Sequence, residues 1–261
     1  MIAPEIRNKP FIQGRLSSGN AGVPMIQDLL GTDRGVMMPG RTALIAFEQD
    51  FLLLPIAASG VTGWRVDNDG ALTTALSHVA TGIGGSAIFA PGSTATNNAH
   101  YQWANNTTVL SPFTMAANKR LWLSARFKCE DVDKNLPIVG LHTSQTDPWA
   151  TEPADQFLFR SLTSDGVLQF ACGTTNSTER TITLNTMADD TWYNVLAFYD
   201  GESTAAAWVW NDNWDLLASG LADQSSTHRP DGAMTVAFGM EMVDTGADDM
   251  TIDHIHVFME R

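Results

Sequence analysis

The sequence predicts an all-β sandwich over residues 42–261, preceded by an irregular, extended arm over residues 1–41. Three observations predict it. Residues 121–129 alternate strictly, with Leu121, Leu123, Ala125, Phe127 and Cys129 on one face and Trp122, Ser124, Arg126 and Lys128 on the other, the period of a half-buried strand. Comparable β-rich runs recur at 138–142, 156–162, 167–172, 181–184, 192–199, 206–210, 234–240 and 250–259, separated by Gly, Asn, Asp and Ser clusters. Almost no segment carries the i, i+3, i+4 apolar stripe of a helix, so the crossovers that parallel strands require are missing.

The turns between these runs favour antiparallel hairpins. Asp165-Gly166, Asp200-Gly201 and Asp231-Gly232 are the dipeptides that supply positive backbone φ in a tight connection. Glycine-rich stretches at 81–86 and 91–93 read as loops inside the body, and no repeat of fixed period is present.

The arm reads differently. Pro4, Pro10, Gly14, Gly19, Gly22, Pro24, Gly31, Gly35, Pro39 and Gly40 break any sustained period. Even so, the arm holds Ile6, Phe11, Ile12, Leu16, Met25, Ile26, Leu29 and Leu30, more apolar side chains than a solvated tail keeps. Two readings account for both features: the arm orders against a neighbouring subunit, or it packs on its own domain.

Composition narrows the function classes. Hydrophobic residues make up 44% and charged ones 17%, enough apolar material for a substantial core. The net charge is −14, which excludes nucleic acid and anionic membrane as partners of the body, since both need a basic surface. Residues 1–41 hold five basic side chains, Arg7, Lys9, Arg15, Arg34 and Arg41, against the acidic Glu5, Asp28 and Asp33; that segment is +2 and the remainder −16. Cys129 and Cys172 are too few for a disulfide framework, and whether they pair stays open. No export signal opens the sequence, and the longest apolar run, 51–58, is interrupted by Pro55 and too short to span a bilayer, so a soluble protein is expected.

Three local patterns carry a resemblance. Thr191-Trp192-Tyr193-Asn194-Val195 runs through Phe198-Tyr199-Asp200-Gly201 into a second strand at 206–210. The closing run Met250-Thr251-Ile252-Asp253-His254-Ile255-His256-Val257 contains a single Asp between apolar positions. Near the start, Phe47-Glu48-Gln49-Asp50-Phe51 is followed by Gly63-Trp64, which reads as a first strand and its return. Together they resemble the concanavalin A-like or laminin-G-like jelly-roll β-sandwiches, in which the Trp of the first pattern wedges between the sheets and the Asp-Gly makes the turn. An irregular arm followed by such a sandwich is similar to the capsid decoration, or cement, proteins of tailed bacteriophages. That resemblance implies a virion protein on the outer capsid surface, assembled in the host cytoplasm, that bridges subunits of the major capsid protein and trimerises at local three-fold axes. Ile6, Arg7, Phe11, Ile12, Arg15, Leu16, Met25, Ile26, Leu29 and Leu30 would form the capsid-binding arm.

The chemistry-bearing residues point away from catalysis. Glycoside cleavage on this kind of sandwich needs paired carboxylates across a cleft, delivered by a Glu-x-Asp-x-x-Glu strand, and no such string occurs. Glu48-Gln49-Asp50 lacks the third acid and reads as a solvated strand edge. No catalytic residues and no cofactor are therefore expected. His254-x-His256 puts two imidazoles on one face of a regular strand, with Asp253 on the opposite face and no third ligand, so no metal is expected there. Asp131-x-Asp133-x-Asn135 starts like a calcium loop but has Leu136 where the turn wants Gly and His142 where the bidentate Glu belongs. Asp244, Asp248 and Asp249 read as an acidic solvated loop or a calcium-holding rim. Trp208 and Trp210 share a strand face and Trp214 follows, which fits either a platform for a surface glycan or a subunit interface. Trp122 and Trp192 are assigned to packing, and His78, His100, His142 and His228 to chance placement.

Overall fold

The computed structural model describes residues 44–49, 56–57, 60–61, 63–69, 72, 74–79, 85–105, 108–174, 179–224, 228–246 and 248–260. The proposed capsid-binding arm, from Ile6 to Leu30, lies outside the described residues, as does Asp50.

Eighteen strands, and no helix, occur among the described residues. In chain order they are β1 (Leu44–Gln49), β2 (Ile56–Ala57), β3 (Gly60–Val61), β4 (Trp64–Asp69), β5 (Thr74–Val79), β6 (Ser86–Ala90), β7 (Asn98–Asn105), β8 (Thr108–Val109) and β9 (Leu121–Cys129). They continue with β10 (Asn135–Thr143), β11 (Asp155–Arg160), β12 (Val167–Thr174), β13 (Arg180–Thr186), β14 (Tyr193–Tyr199), β15 (Thr204–Trp210), β16 (Leu216–Asp223), β17 (Met234–Met242) and β18 (Met250–Glu260). Two eight-stranded antiparallel sheets result, plus the short β2–β3 ribbon. Sheet one runs β16-β15-β14-β9-β18-β6-β5, with β1 sharing one edge of β18 with β6. Here β6 covers Met250 to Ile252 and β1 covers Ile255 to Glu260. Sheet two runs β13-β12-β11-β10-β17-β7-β4, with β8 paired to the end of β7.

Alternation places one side chain of every pair in the space between the sheets. Leu121, Leu123 and Phe127 of sheet one, and Val139, Leu141, Phe157, Phe159, Phe170 and Phe238 of sheet two, are at most 1% exposed there. Each such side chain contributes about 1.5–3 kcal/mol on burial, so this layer is the main source of stability. Its aromatics meet edge-on or offset: Phe157 lies 5.0 Å from Phe170 at 86°, and Phe89 lies 5.0 Å from Tyr101 at 67°. Cys129 and Cys172 are free and buried in the same layer, and burial pushes the Cys129 thiol up to about 12, which makes it an inert core residue.

The turn signals resolve into two kinds. Gly166 and Gly201 take φ of +66° and +85° in the β11–β12 and β14–β15 hairpins, and Asp200 Oδ1 accepts the N–H groups of Glu202, Ser203 and Thr204. Asp231-Gly232, by contrast, lies in the crossover from β16 of sheet one to β17 of sheet two, where the Asp231 N–H donates to Asp155 Oδ1.

Three expectations need correction. Phe47 and Trp64 do not form a strand and its return: β1 pairs with β18 in sheet one and β4 with β7 in sheet two, and the two rings meet across the core at 5.7 Å. Trp192 does not wedge between the sheets. It is half-buried beside sheet one with the Arg126 guanidinium 4.2 Å over its ring, while Tyr193 takes the inward position. Finally, β16 and the stretch from β5 to β7 are strands where the sequence showed none.

Candidate functional site

The outward side chains of sheet two are unusual because many are polar and buried. Strand β7 contributes Asn98, His100 and Gln102, β10 contributes His142, and β11 contributes Gln156 and Arg160; none is more than 4% exposed. A polar residue survives burial only with partners, and here the β10–β11 loop, residues 144–154, supplies part of the cover. The Gln145 N–H donates to Gln102 Oε1 at 3.1 Å, and Gln102 Nε2 donates back to the Gln145 carbonyl at 2.8 Å and to Asp67 Oδ2 at 2.7 Å. Asp147 Oδ1 accepts the N–H groups of Trp149 and Ala150, which turns the loop back toward the sheet. The Trp149 indole N–H then donates to the Leu136 carbonyl at 2.9 Å. Its ring tip lies 3.0 Å from where a Cβ on Gly239 would stand, so the absence of a side chain there admits the indole.

Beneath the loop, His100 Nε2 and His142 Nε2 are 2.9 Å apart with ring centroids at 4.9 Å. The floor under them is small: Gly140, Ala237 and Gly239 occupy the intervening outward positions. His142 Nδ1 lies 2.7 Å from the Thr143 carbonyl, which can only accept, so Nδ1 carries hydrogen and Nε2 accepts from His100. Burial lowers both imidazoles, His142 to about 4; for His100 the neighbouring His142 lowers it further. The placement of these two histidines is therefore not chance, although the signal was only that each sits at an outward position of a strand.

Beside the pair is a polar cavity of about 270 Å³ lined by Asp67, Asn68, Asn98, Thr146 and Asp147. Asp67 is held by Arg65, whose Nε and Nη2 donate to Oδ1 at 3.0 and 2.6 Å. Every lining side chain can hydrogen-bond and none is cationic, a composition suited to a neutral ligand rich in hydroxyl groups or to a cation, and unsuited to an anion.

Further along the same face, Arg160 is sunk between two glutamates. Its Nη1 donates to Glu152 Oε1 at 2.6 Å and to Gln156 Oε1 at 3.0 Å, and Nη2 donates to Glu179. Burial raises Glu179. Burial would raise Glu152 as well, but hydrogen bonds from Gln156 and Arg160 hold it below the usual carboxylate range. Glycoside cleavage uses carboxyls roughly 5–10 Å apart with sugar or water between them, whereas these two close on one buried guanidinium.

The residues singled out from sequence fall elsewhere. Trp208 is half-buried on the outer face of sheet one, but Trp210 is 1% exposed and packs on Trp214 at 6.2 Å, so the three do not form a platform. His254 and His256 stack at 4.8 Å. Asp253 was expected on the opposite face; instead a β-bulge between Ile252 and His254 turns both Asp253 and His254 outward. Arg126 takes up the Asp253 carboxylate at 3.0 Å, and among the described residues no group of three His, Cys, Asp or Glu could hold a metal. Asp131 Oδ1 accepts the Asp133 N–H and Oδ2 pairs with Lys134, the work of a turn before β10. Asp244 likewise accepts the Thr245 N–H within its own loop. Glu48 lies opposite His256 in the β1–β18 register.

No protein-family model and no curated protein sequence matches the chain. Solved structures do. A protein of unknown function from Shewanella oneidensis MR-1 is 15% identical with a TM-score of 0.59, over 84% of this chain and 87% of that one. Arcelin-5, a lectin-like defence protein from Phaseolus vulgaris, is 4% identical with a TM-score of 0.54, over 84% and 99%. The CBM2 module of the evolved Dit of Lactobacillus casei BL23 phage J-1 is 10% identical with a TM-score of 0.50, over 83% and 97%. The fold is therefore the lectin-like, concanavalin A-type jelly-roll sandwich.

Proposed function

We propose that the chain is a non-enzymatic structural protein of a phage virion, a sandwich displayed on the outer face of an icosahedral shell and tethered by residues 1–41 to the major capsid protein. The observation that carries this reading is that described residues from Leu44 onward supply all eighteen strands and both eight-stranded sheets. Strand β1 starts at Leu44 and completes the edge of β18, and the common fold takes in 83–84% of this chain against 87–99% of the three neighbours. A segment broken by Pro and Gly that keeps Ile6, Phe11, Ile12, Leu16, Met25, Ile26, Leu29 and Leu30 is suited to bury them on another polypeptide. Arg7 and Arg15 give it the charge opposite to the body's. One neighbour with this fold is a module of a phage protein, in line with a virion setting.

A protein that binds only the assembled lattice stabilises it by mass action, and a trimer at a three-fold axis would bring three arms to adjacent subunits. Cosedimentation with purified shells tests the reading. The full chain is expected to pellet with shells, and the chain lacking residues 1–41 to stay in the supernatant with its β-type circular dichroism intact. If the truncated chain coats shells equally well, the tether is not the arm.

The cavity beside His100 favours a second reading, a sandwich that binds host surface polysaccharide, through Asp67, Asn68, Asn98, Thr146 and Asp147 rather than through the tryptophans. Binding on a glycan array that Asp67→Ala and Asn68→Ala abolish and Trp208→Ala leaves intact would support it; no binding to any glycan would exclude it.

A further inference from the structure

We infer that the His100–His142 pair is a proton-operated latch: neutral, it holds the β10–β11 loop down and keeps Thr146 and Asp147 in the wall of the polar cavity; protonated, it releases the loop and dismantles that wall.

The geometry carries this. The two rings share one hydrogen between Nε2 atoms 2.9 Å apart, and the bond exists only while one of the two nitrogens is unprotonated. Both residues are 0% exposed, and Trp149 of the loop meets His100 edge-on at 6.0 Å. The Thr146 and Gln145 carbonyls favour a second proton on His100, but burial, first, and the neighbouring His142, second, outweigh them. On His142, Nδ1 is already committed to the Thr143 carbonyl; on His100, Nδ1 is buried without a hydrogen-bond partner.

The charged groups around the pair do not offer a ready counter-ion. From β4, Arg65 repels a proton on His100, and Asp67 is already held by Arg65 and Gln102. From the loop, Asp147 is occupied by two backbone N–H groups, and Glu152 by Gln156 and Arg160. On the same face β11 presents Gln156 opposite His142 and Arg160 further along, and β17 presents Thr235, Ala237 and Gly239, with Glu241 at the next outward position, opposite Asn98. The cheapest relief for a charge here is to admit water by lifting the loop, whose attachments are a few hydrogen bonds and one indole rather than a strand pairing.

The sign follows from the lowered imidazoles. Closed-loop stability is fully present above the ordinary histidine value of 6.5 and is lost as the pH falls from there toward about 4. Each histidine makes the open state about tenfold more populated per pH unit in that window.

Hydrogen exchange on the full-length protein, corrected for the intrinsic pH dependence, tests this. Between pH 7.4 and pH 5.0 the amides of residues 144–154 are expected to lose protection at least about 30-fold, while those of β9 stay unchanged. His142→Gln, which cannot take up the proton, is expected to flatten the pH slope of the loop. Equal loop protection at both pH values in the unmodified protein would overturn the proposal, as would parallel loss in β9 or an unchanged slope in a folded His142→Gln variant.

Discussion

The outer faces of the two sheets are covered in different ways. On sheet one, Trp122, Phe198 and Trp208 are half-buried and Leu221 is 74% exposed, so apolar side chains face outward beside the polar Ser124, Arg126 and Lys128. On sheet two, His100, Gln102, His142, Gln156 and Arg160 are buried, although they occupy the outward positions where polar residues usually meet water. The outward residues of sheet one are covered mainly by strand neighbours, as in the Trp122–Phe198 stack at 5.3 Å. Those of sheet two have the 144–154 loop tied across them through Gln145 and Trp149. The contrast shows that alternation decides which face a residue occupies, and that a loop can decide whether the face is wet.

Substitutions sharpen the contrast. The largest effect is expected at Arg160→Ala, which leaves Glu152 and Glu179 together without their shared cation; urea unfolding should show a loss of about 3–5 kcal/mol, partly recovered when Glu179→Gln is added. Next, a methyl group at Gly239 would stand 2.6 Å from the Ala99 carbonyl oxygen and 3.0 Å from the Trp149 ring, so Gly239→Ala should cost about 2–3 kcal/mol and loosen the loop. On sheet one, Trp122→Ala removes only a half-buried stack on Phe198, and about 1–2 kcal/mol is expected by the same measurement. The smallest effect is at Leu221→Lys, within about 0.5 kcal/mol, since that side chain is mostly in solvent. Should Leu221→Lys prove as damaging as Arg160→Ala, the two faces would not differ in the way described.

Much of the fold was legible residue by residue. The strand at 121–129 was read with its bounds because its inward side chains are large and its outward ones mostly polar. The hairpins at Asp165-Gly166 and Asp200-Gly201 were equally plain, since positive φ leaves a compositional mark. Strand β16, Leu-Leu-Ala-Ser-Gly-Leu-Ala-Asp, was missed because it is an edge strand whose inward residues are Ala and Gly, small enough to meet the opposite sheet without a hydrophobic period. Strand β7 was missed because its outward residues are His and Gln, and its burial depends on a loop some forty residues later.

The candidate site was much less legible. Asp67, Asn98 and Asp147 are far apart in sequence and come together only through the β4–β7 register and the fold of the 144–154 loop. The reading of Asp253 rested on a regular strand, and a single inserted residue in β18 reversed its direction. Trp208 and Trp210 shared a face as expected, yet the turn carrying Trp214 closed over one of them.

From sequence alone came the fold class, the two cysteines' lack of a framework role and the contrast in charge between residues 1–41 and the remainder, because composition and the two-residue period act locally. Tertiary structure alone decided that His100 meets His142, that Trp210 is covered and that Glu179 joins Arg160. Those outcomes depend on strand register, on one bulge and on the path of one loop, and each is a contact between residues whose separation along the chain carries no periodic signal.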